Sequence, residues 1–313
     1  MAKIQLINMQ ASESYKVPSP VQAFQLEWMK ERNLSITIKR DDLIHNVVSG
    51  NKWRKLKFNL LQVKHLGKTG VLTFGGAYSN HLLATAHVCH SHGLQSMAIV
   101  RGDELNEKSN DILRQCAEWG MKFRFVSREE YHLKDDFEYK NELKDEFRSH
   151  YIIPEGGKSY LGIIGCQEIV SELEGDFDEI WVAQGTCTTS IGLALSCNEN
   201  QTIQAVPVLK RFDVSKEIND IMKFAGFDSE SVEQVLSRMN VHSDYHFGGY
   251  GKKTEELSNF ILKMKEEHHL DLDPIYAGKA FFALLDYYKN SNIENRKIVF
   301  LHTGGLIAGS YLK

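Results

Sequence analysis

The chain has 313 residues, of which 42% are hydrophobic and 25% are charged, and its formal net charge is −4. This composition is typical of a soluble globular protein with one or two domains and argues against disordered and fibrous classes. The slight acidic excess, without a basic stripe, argues against a nucleic-acid partner, whose phosphates call for clustered lysine and arginine. The five cysteines are scattered without a CxxC pair. Neither a disulfide framework nor a zinc knuckle is indicated, and a reducing cytoplasm is the expected setting.

The amino-terminal stretch MAKIQLINMQ lacks the long apolar core of a signal peptide. Nowhere do about 18 apolar residues follow one another, as a membrane-spanning helix would need. We therefore expect neither export nor a membrane anchor. Because the charge argues against nucleic acid, we expect the partner to be a small molecule.

Short runs rich in β-branched and aromatic residues predict strands, with amphipathic helical stretches between most of them. The runs are SITIKR, VLTF, SMAIV, KFRFV, YIIP, EIWVA, IQAVPVL and KIVFL. Parallel neighbours need a crossover that is usually a helix, so this alternation predicts an α/β fold. The most polar stretch, residues 127–150, is interpreted as a solvated helix. The segment PEGGKSYLG, Pro154 to Gly162, is a turn signal, and we place one crossing between two lobes there.

The segment SGNKWRKL, Ser49 to Leu56, opens a predicted helix that carries three cations within four residues. At about 100° per residue, Lys52 lies at the edge of the apolar face and Lys55 projects to the same side, whereas Arg54 and Lys57 point toward the opposite face. A desolvated lysine beside another cation becomes nucleophilic and forms Schiff bases with carbonyl compounds, including pyridoxal phosphate. The alternative is a solvated first helical turn, and this motif alone leaves both open.

Two glycine turns follow predicted strands and precede predicted helices. The first, VLTFGGAYSNH, places Ser79, Asn80 and His81 at a helix start, where free amides bind carboxylates. The second, EIWVAQGTCTTS, places Gly185 to Thr189 where hydroxyls and amides can cradle a phosphate. It is neither a P-loop nor a GxGxxG turn, which disfavours nucleotide binding and an NAD-dependent dehydrogenase. Ordinary helix capping remains an alternative for both turns.

The segment HVCHSH holds His87, Cys89, His90 and His92 at short spacing, as metal ligands often are. Spread around one helix, these side chains do not converge on one point. We therefore expect a packed helix edge and no metal site.

Six motifs occur in one order across almost the whole chain: SGNKWRKL, GGAYSNH, AQGTCTTSIGL, GGYG, DPIYAGK and HTGG. In that order they resemble the pyridoxal-phosphate enzymes of the 1-aminocyclopropane-1-carboxylate deaminase and D-cysteine desulfhydrase family. The resemblance implies pyridoxal 5'-phosphate as the cofactor. It also implies the two-lobed α/β architecture of fold type II, similar to the tryptophan synthase β-subunit, with open, mostly parallel twisted sheets and the cofactor between the lobes. The expected large domain is residues 1–46 and 157–313, and the small domain is residues 47–156.

By this resemblance, Lys52 is the Schiff-base lysine, Asn80 contacts the ring oxygen of the cofactor, and Thr303 neighbours the pyridine nitrogen. Cys187 stands where related loops usually carry glycine. The residues that the resemblance assigns to the phosphate are Lys55, Gly185, Thr186, Cys187, Thr188 and Thr189.

The resemblance also implies the substrate contacts. Ser79 lies by the substrate carboxylate or acts near the α-carbon, and the amides from Ser79 through Asn80 to His81 hold that carboxylate. Tyr250 and Tyr276 match family tyrosines that border the substrate and assist proton transfer. Their alternative is packing in a core, which is common for tyrosine.

Two positions depart from the pattern of the cyclopropane-opening deaminases, which carry Glu and Leu where this chain has Ala277 and Thr303. A carboxylate near the pyridine nitrogen strengthens the ring as an electron sink more than a hydroxyl does. The departure therefore favours α,β-elimination from D-cysteine to pyruvate, ammonia and hydrogen sulfide.

Several alternatives to D-cysteine stay open. They are 1-aminocyclopropane-1-carboxylate, which would give 2-oxobutyrate and ammonia, and other D-amino acids with a leaving group, such as β-chloro-D-alanine or D-serine. A non-catalytic protein that binds pyridoxal phosphate or an amino acid is also possible, because fold does not settle function. The resemblance further implies a homodimer and an enzyme class of lyase or hydrolase.

Overall fold

A computed structural model describes residues 15–305 of the protein. The stretch that argues against a signal peptide and both outer ends of the expected large domain lie outside the described residues. The strands are β1 Val21–Phe24, β2 Leu34–Lys39, β3 Gly70–Gly76, β4 Gln95–Arg101, β5 Lys122–Val126, β6 His150–Ile153, β7 Glu179–Gln184, β8 Thr202–Pro207, β9 Met239–Val241 and β10 Arg296–Leu301.

These strands form two sheets. The six-stranded sheet has the order β1-β2-β10-β7-β8-β9, and the four-stranded sheet has the order β5-β4-β3-β6. Every pair is parallel except the antiparallel pair of β1 and β2. The predicted α/β fold is confirmed, and each of the eight predicted runs is a strand. The short strands β1 and β9 were not predicted, because both lie at sheet edges and bury few side chains.

Helices connect the strands. They are α1 Glu27–Glu31, α2 Asn51–His65, α3 Asn80–Ser91, α4 Asp111–Glu118, α5 Arg128–His132, α6 Phe137–Glu146, α7 Tyr160–Ser171, α8 Thr188–Ser196, α9 Val214–Phe224, α10 Ser229–Ser237, α11 Glu255–His268 and α12 Ala277–Lys289. The single solvated helix expected over residues 127–150 is wrong, because the chain breaks it into α5 and α6. The break comes at Asp136, whose carboxylate caps α6 by accepting from the backbone N–H of Tyr139.

Both faces of the six-stranded sheet are buried, as is usual for parallel sheets. Along β7, Trp181 packs on one face with Phe281 and Phe300, whereas Ile180 and Val182 pack on the other. Each such fully buried side chain contributes about 1.5–3 kcal/mol by leaving water. The division into two domains stays a prediction, although the strands of the four-stranded sheet all lie between residues 70 and 153.

Helix α2 contacts α3 and β6 of the four-stranded sheet and packs against α7, which in turn packs against α8 beside the six-stranded sheet. A Cβ atom at Gly165 on α7 would lie 1.8 Å from the backbone oxygen of Arg54 on α2, so only glycine permits this approach. The carboxyl ends of β3, β7 and β10 each lead into one of the sequence motifs, at the edge where ligands of open α/β sheets collect. None of the helices between residues 15 and 305 combines the length and hydrophobicity needed to span a bilayer.

Candidate active site

A cavity of about 380 Å³ lies where the loops after β3, β4, β6, β7 and β10 meet the start of α2. Most of the residues that the sequence predicted for the site line this one cavity. They are Lys52, Lys55, Ser79, Asn80, His81, Gly185, Thr186, Tyr250, Tyr276 and Thr303. Residues more than 250 positions apart in the chain therefore share one site.

Lys52 lies in the first turn of α2, directly after a glycine turn that packs against the segment following β10. Gly50 has a φ of 65°, and a Cβ atom there would lie 1.8 Å from the carbonyl oxygen of Thr303. The Lys52 Nζ atom donates to Asn51 Oδ1 over 2.6 Å. Burial, and then the charge of Lys55, lower the pKa of Lys52 to about 7. A substantial fraction of this amine is therefore neutral and nucleophilic near neutral pH.

Lys55 connects α2 to the glycine turn after β7. Its Nζ atom lies 3.1 Å from Thr186 Oγ1, and burial lowers the pKa of this lysine. The start of α8 follows directly, and the first turn of a helix leaves amide hydrogens without helical partners. A buried lysine beside a helix amino terminus is an arrangement that binds phosphate.

Three residues of the predicted phosphate turn do not present their side chains to the cavity. Cys187 is fully buried, and its Sγ atom accepts from Gln184 Nε2 at 2.6 Å. Thr188 is buried, and the Thr189 hydroxyl accepts from Asn51 Nδ2 over 3.0 Å. Contacts from these three residues to a phosphate stay a prediction, and they would have to come from backbone amides.

The turn after β3 opens helix α3. The Ser79 hydroxyl caps this helix by accepting from the backbone N–H of Leu82 over 3.3 Å, as the alternative of ordinary helix capping expects. Ser79 also lines the cavity. Thr73 Oγ1 donates to the Ile153 carbonyl at 2.8 Å, so its lone pair accepts from His81 Nε2 at 2.9 Å. Burial and the charges of the two site lysines lower the pKa of His81 to about 3. The His81 ring is neutral, and an anion here would rely on backbone amides.

Tyr250 and Tyr276 face each other at the cavity. Their hydroxyl oxygens are 3.5 Å apart, and their rings meet edge to face. Desolvation in the cleft raises the pKa of both phenols, and the neighbouring tyrosine raises that of Tyr276 further. Both are therefore protonated at neutral pH and suit the role of proton donor. A Cβ atom at Gly185 would lie 2.7 Å from the Tyr276 ring, so glycine lets this ring approach the turn after β7.

Sequence reasoning missed Asp273. This buried carboxylate accepts backbone N–H groups from Ile275 and Tyr276 on Oδ1, at 2.9 and 2.7 Å, and from Ala277 on Oδ2, at 2.8 Å. It thereby holds the backbone that carries Tyr276. The aspartate in DPIYAGK, just ahead of a helix start, was the available signal, because such residues commonly accept from the amides that follow.

Arg54 does not serve the cavity. The expectation that it points to the opposite helix face is right, but it is fully buried there, with its guanidinium between Asp41 and Glu172. The nearest contacts include Nη2 to Asp41 Oδ1 at 2.9 Å and Nη2 to Glu172 Oε2 at 2.7 Å. Of the three clustered cations, only the two lysines line the cavity.

The groups at the cavity fit pyridoxal phosphate. Lys52 offers an amine to an aldehyde, and Lys55 with Thr186 and the α8 start offers cation, hydroxyl and amide contacts to a phosphate. Asn80 and Thr303, both residues with polar side chains, line the same space and are available to the ring.

Comparison with known proteins supports this fit. The sequence model of the family "Pyridoxal-phosphate dependent enzyme" matches residues 17–304. A Pyrococcus horikoshii protein, provisionally named a 1-aminocyclopropane-1-carboxylate deaminase, is 34% identical over 90% of this chain and 87% of its own. The Arabidopsis thaliana bifunctional D-cysteine desulfhydrase/1-aminocyclopropane-1-carboxylate deaminase is 30% identical over 93% of this chain and 77% of its own.

A solved structure described as an ACC deaminase homologue superposes with a TM-score of 0.75 at 31% identity. It covers 94% of this chain and 90% of its own, which agrees with the expected fold type II. The chain belongs to the family of pyridoxal-phosphate-dependent enzymes, among the relatives named 1-aminocyclopropane-1-carboxylate deaminase and D-cysteine desulfhydrase.

Proposed function

We propose that the protein is a lyase that eliminates the β-substituent of a small D-amino acid, with D-cysteine as the substrate and pyruvate, ammonia and hydrogen sulfide as the products. The observation that carries this choice is the chemistry around Thr303 and Ala277. Thr303 lines the cavity, and position 277 carries alanine, whose backbone N–H donates to Asp273. Position 277 therefore brings no carboxylate to the ring, which suits departure of sulfide better than opening of an unactivated cyclopropane.

The cofactor would be held by three groups of residues. Lys52 binds its aldehyde, Asn80 and Thr303 contact the ring, and Lys55 with Thr186 contacts the phosphate. When bound, pyridoxal phosphate supplies an electron sink for the electrons of the broken bond to the α-hydrogen.

The remaining steps belong to the protein. The amides at the start of α3 orient the substrate carboxylate. The Lys52 amine, with its pKa near 7, is the base that takes the α-proton. Tyr276, protonated and 3.5 Å from Tyr250, delivers a proton to the departing sulfur, and Tyr250 is the second phenol of that relay.

The balance of the reaction fixes its class. One D-cysteine and one water give one pyruvate, one ammonia and one hydrogen sulfide. The hydrolase class expected beside lyase is wrong for this reaction, because elimination breaks the carbon–sulfur bond and water reacts only with the released enamine.

A deaminase acting on 1-aminocyclopropane-1-carboxylate is the second candidate. It is favoured by the names of the Pyrococcus horikoshii and Arabidopsis thaliana relatives. Other D-amino acids with a leaving group, and a binding protein without turnover, remain outcomes of the test. The homodimer, the cytoplasmic setting, and the absence of nucleic-acid and membrane partners stay predictions.

The test is product identification with the purified holoprotein. D-cysteine, L-cysteine, D-serine, β-chloro-D-alanine and 1-aminocyclopropane-1-carboxylate are each supplied, and pyruvate, sulfide and 2-oxobutyrate are measured. Pyruvate and sulfide from D-cysteine, with an inert cyclopropane, support the proposal, and a Lys52→Ala variant should give neither product. 2-Oxobutyrate from the cyclopropane overturns the choice of substrate. A shift in the coenzyme absorption without any product would favour the binding protein.

A further inference from the structure

The backbone that carries Tyr250 follows an unusual path. We call residues 245–251 the Tyr250 loop. Within it, Phe247, Gly248, Gly249 and Gly251 all have positive φ, at 50°, 91°, 115° and 67°. Tyr250 itself is 46% exposed, so packing covers only part of its side chain. The loop needs contacts from elsewhere to place the phenol at the cavity.

Many of those contacts come from one face of α12 and from the residue just before it. Four positions with helical spacing touch the Tyr250 loop. Tyr276 meets Tyr250, Lys279 reaches the loop backbone, the Phe282 ring meets the Phe247 ring edge to face at 5.1 Å, and Asp286 accepts from the Tyr245 hydroxyl at 2.9 Å. Residues three or four apart lie on one helix face, so α12 presents a continuous support to the loop.

Of these four residues, Lys279 is the one whose side chain donates hydrogen bonds to the backbone of the loop. Its side chain is fully buried, and Nζ donates to the carbonyl oxygens of His246 and Gly249, each at 2.8 Å. Within residues 15–305 it has no carboxylate within ion-pair distance, and the charge of Asp273 acts on it only at longer range. A buried ammonium is costly unless its donors are used, and here they are used on the two ends of one short backbone segment.

That segment lies directly before Tyr250. Across the cleft from the Tyr250 hydroxyl lie Glu155 and Arg101, which line the cavity from the side of the four-stranded sheet. The Tyr250 phenol therefore lies between Tyr276 and the opposite wall of the cavity. The loop that carries it is bound by Lys279.

We propose that Lys279 is a positioning residue for catalysis, which fixes the Tyr250 loop through the carbonyl groups of His246 and Gly249 and so places the Tyr250 phenol against Tyr276. It touches neither substrate nor cofactor in this role. Its activity readout rests on the proposed function, whereas its effect on the loop does not.

The first experiment measures the loop directly. Hydrogen exchange at the amides of residues 247–251 is compared between the wild-type holoprotein and a Lys279→Met variant. Loss of two charge-assisted hydrogen bonds should speed exchange in the loop by about tenfold or more, while the amides of β7 keep their rates. A Lys253→Met variant is the matched control, because Lys253 is exposed just past the same loop. Unchanged exchange in Lys279→Met overturns the proposal.

The second experiment is a double-mutant cycle with Tyr250→Phe. Lys279→Met should lower kcat/KM by about 10- to 100-fold in the wild-type background, because misplacing a catalytic group by about 1 Å has such an effect. In the Tyr250→Phe background the further loss should be under about twofold, since the phenol is already absent. Equal losses in both backgrounds would mean that Lys279 acts only on the fold, and the proposal fails.

A milder variant covers the case in which Lys279→Met does not fold. Phe282→Leu removes the aromatic contact to Phe247 without burying or removing a charge. It should show the same dependence on Tyr250 with a smaller loss, and additivity there overturns the proposal equally well. If no D-amino acid is turned over, the proposed function fails, while hydrogen exchange still decides the role of Lys279.

Discussion

Lys55 Nζ lies 3.1 Å from Thr186 Oγ1 and so joins helix α2 to the glycine turn after β7. This contact places a buried cation beside the start of α8, where a phosphate is best stabilised. Replacing Lys55 with methionine should therefore weaken pyridoxal-phosphate binding by about 10- to 100-fold, the value of one hydrogen bond to a charged group. Titration of the apoprotein with the coenzyme measures this directly.

The matched control for that substitution is Lys57→Met on the same helix. Lys57 pairs with Glu168 at 2.6 Å, away from the cavity. Its loss should leave coenzyme affinity unchanged. Equal affinities for wild type and Lys55→Met would contradict the placement of the phosphate.

The amine of Lys52 should react with aldehydes at an unusually low pH. Burial and the Lys55 charge lower its pKa from 10.5 to about 7. The protonated amine cannot attack, so the rate of coenzyme capture by the apoprotein should rise as pH passes 7 and level off above it. Stopped-flow absorption at a series of pH values gives the midpoint. A midpoint above about 9, nearer to that of an exposed lysine, would refute the desolvated site.

Arg54 should matter for stability and little for chemistry. Replacing it with leucine leaves the carboxylates of Asp41 and Glu172 buried with fewer partners, which should destabilise the fold by about 3–5 kcal/mol. Thermal or denaturant unfolding measures this. Lys216→Met removes an exposed pair with Asp220 and should have no measurable effect.

The same ion pairs predict that the free energy of unfolding depends on pH in the acid range. The desolvation of Glu172 is outweighed by its bonds to Arg54 and Lys39, which lower its pKa from 4.5 to about 2. A depressed carboxylate pKa contributes stability above pH 4.5 and loses it as pH falls toward 2. In Arg54→Leu this part of the acid sensitivity should shrink. An unchanged pH profile of unfolding would speak against the pairing.

The contrast between the lysines and Arg54 shows what a sequence can and cannot predict here. Helical periodicity, which is local, predicts that Lys52 and Lys55 project to the same side of a helix, and the resemblance to the family assigns them to the cofactor. Glycine after a strand predicts the two turns of the site. The burial of Arg54 depends on Asp41 and Glu172, which are 13 and 118 residues away in the chain. No local pattern marks such pairs. The same distinction holds for the strands. Eight of them are marked by local apolar runs, whereas β1 and β9 depend on pairing partners that only the folded sheet supplies.

The phosphate turn shows the same limit at the level of side chains. The sequence placed Gly185 to Thr189 near the site, and the cavity includes Gly185 and Thr186. The direction of the Cys187 side chain is set by Gln184 and by the core around α8, which a motif does not encode. Sequence order thus located the turn, and packing decided which of its side chains reach the cavity.

His81 should stay neutral across the working pH range. Thr73 donates to Ile153 and accepts from His81 Nε2, which fixes the hydrogen on that nitrogen. With the pKa of His81 lowered to about 3, nitrogen NMR should report the neutral Nε2–H form from about pH 5 to about pH 8. Thr73→Val removes the hydroxyl that accepts from Nε2, so the preference for the Nε2–H tautomer should be lost. A signal from the charged ring near pH 6 would contradict the assignment.

Asp273 holds the backbone of Tyr276 through a hydrogen bond, and its charge acts on the pKa of Lys52. Its replacement by asparagine should reveal both effects. The carboxylate holds the amides of Ile275, Tyr276 and Ala277, so an amide side chain, with one oxygen instead of two, should displace Tyr276 and lower kcat/KM by about 10- to 100-fold. The charge of Asp273 also raises the pKa of Lys52 against the larger lowering effects. Removing that charge should therefore move the pH midpoint of coenzyme capture below the wild-type value.

The control is Asp271→Asn, two residues away, where the carboxylate is exposed and pairs with Lys265 at 2.9 Å. It should change neither the midpoint nor turnover. The two effects of Asp273→Asn are separable, because one is read in the apoprotein without substrate and the other in the holoprotein with it. Loss of turnover with an unmoved midpoint would leave Asp273 as a support for Tyr276 alone, since a buried charge that acts on Lys52 must shift its titration when it is removed.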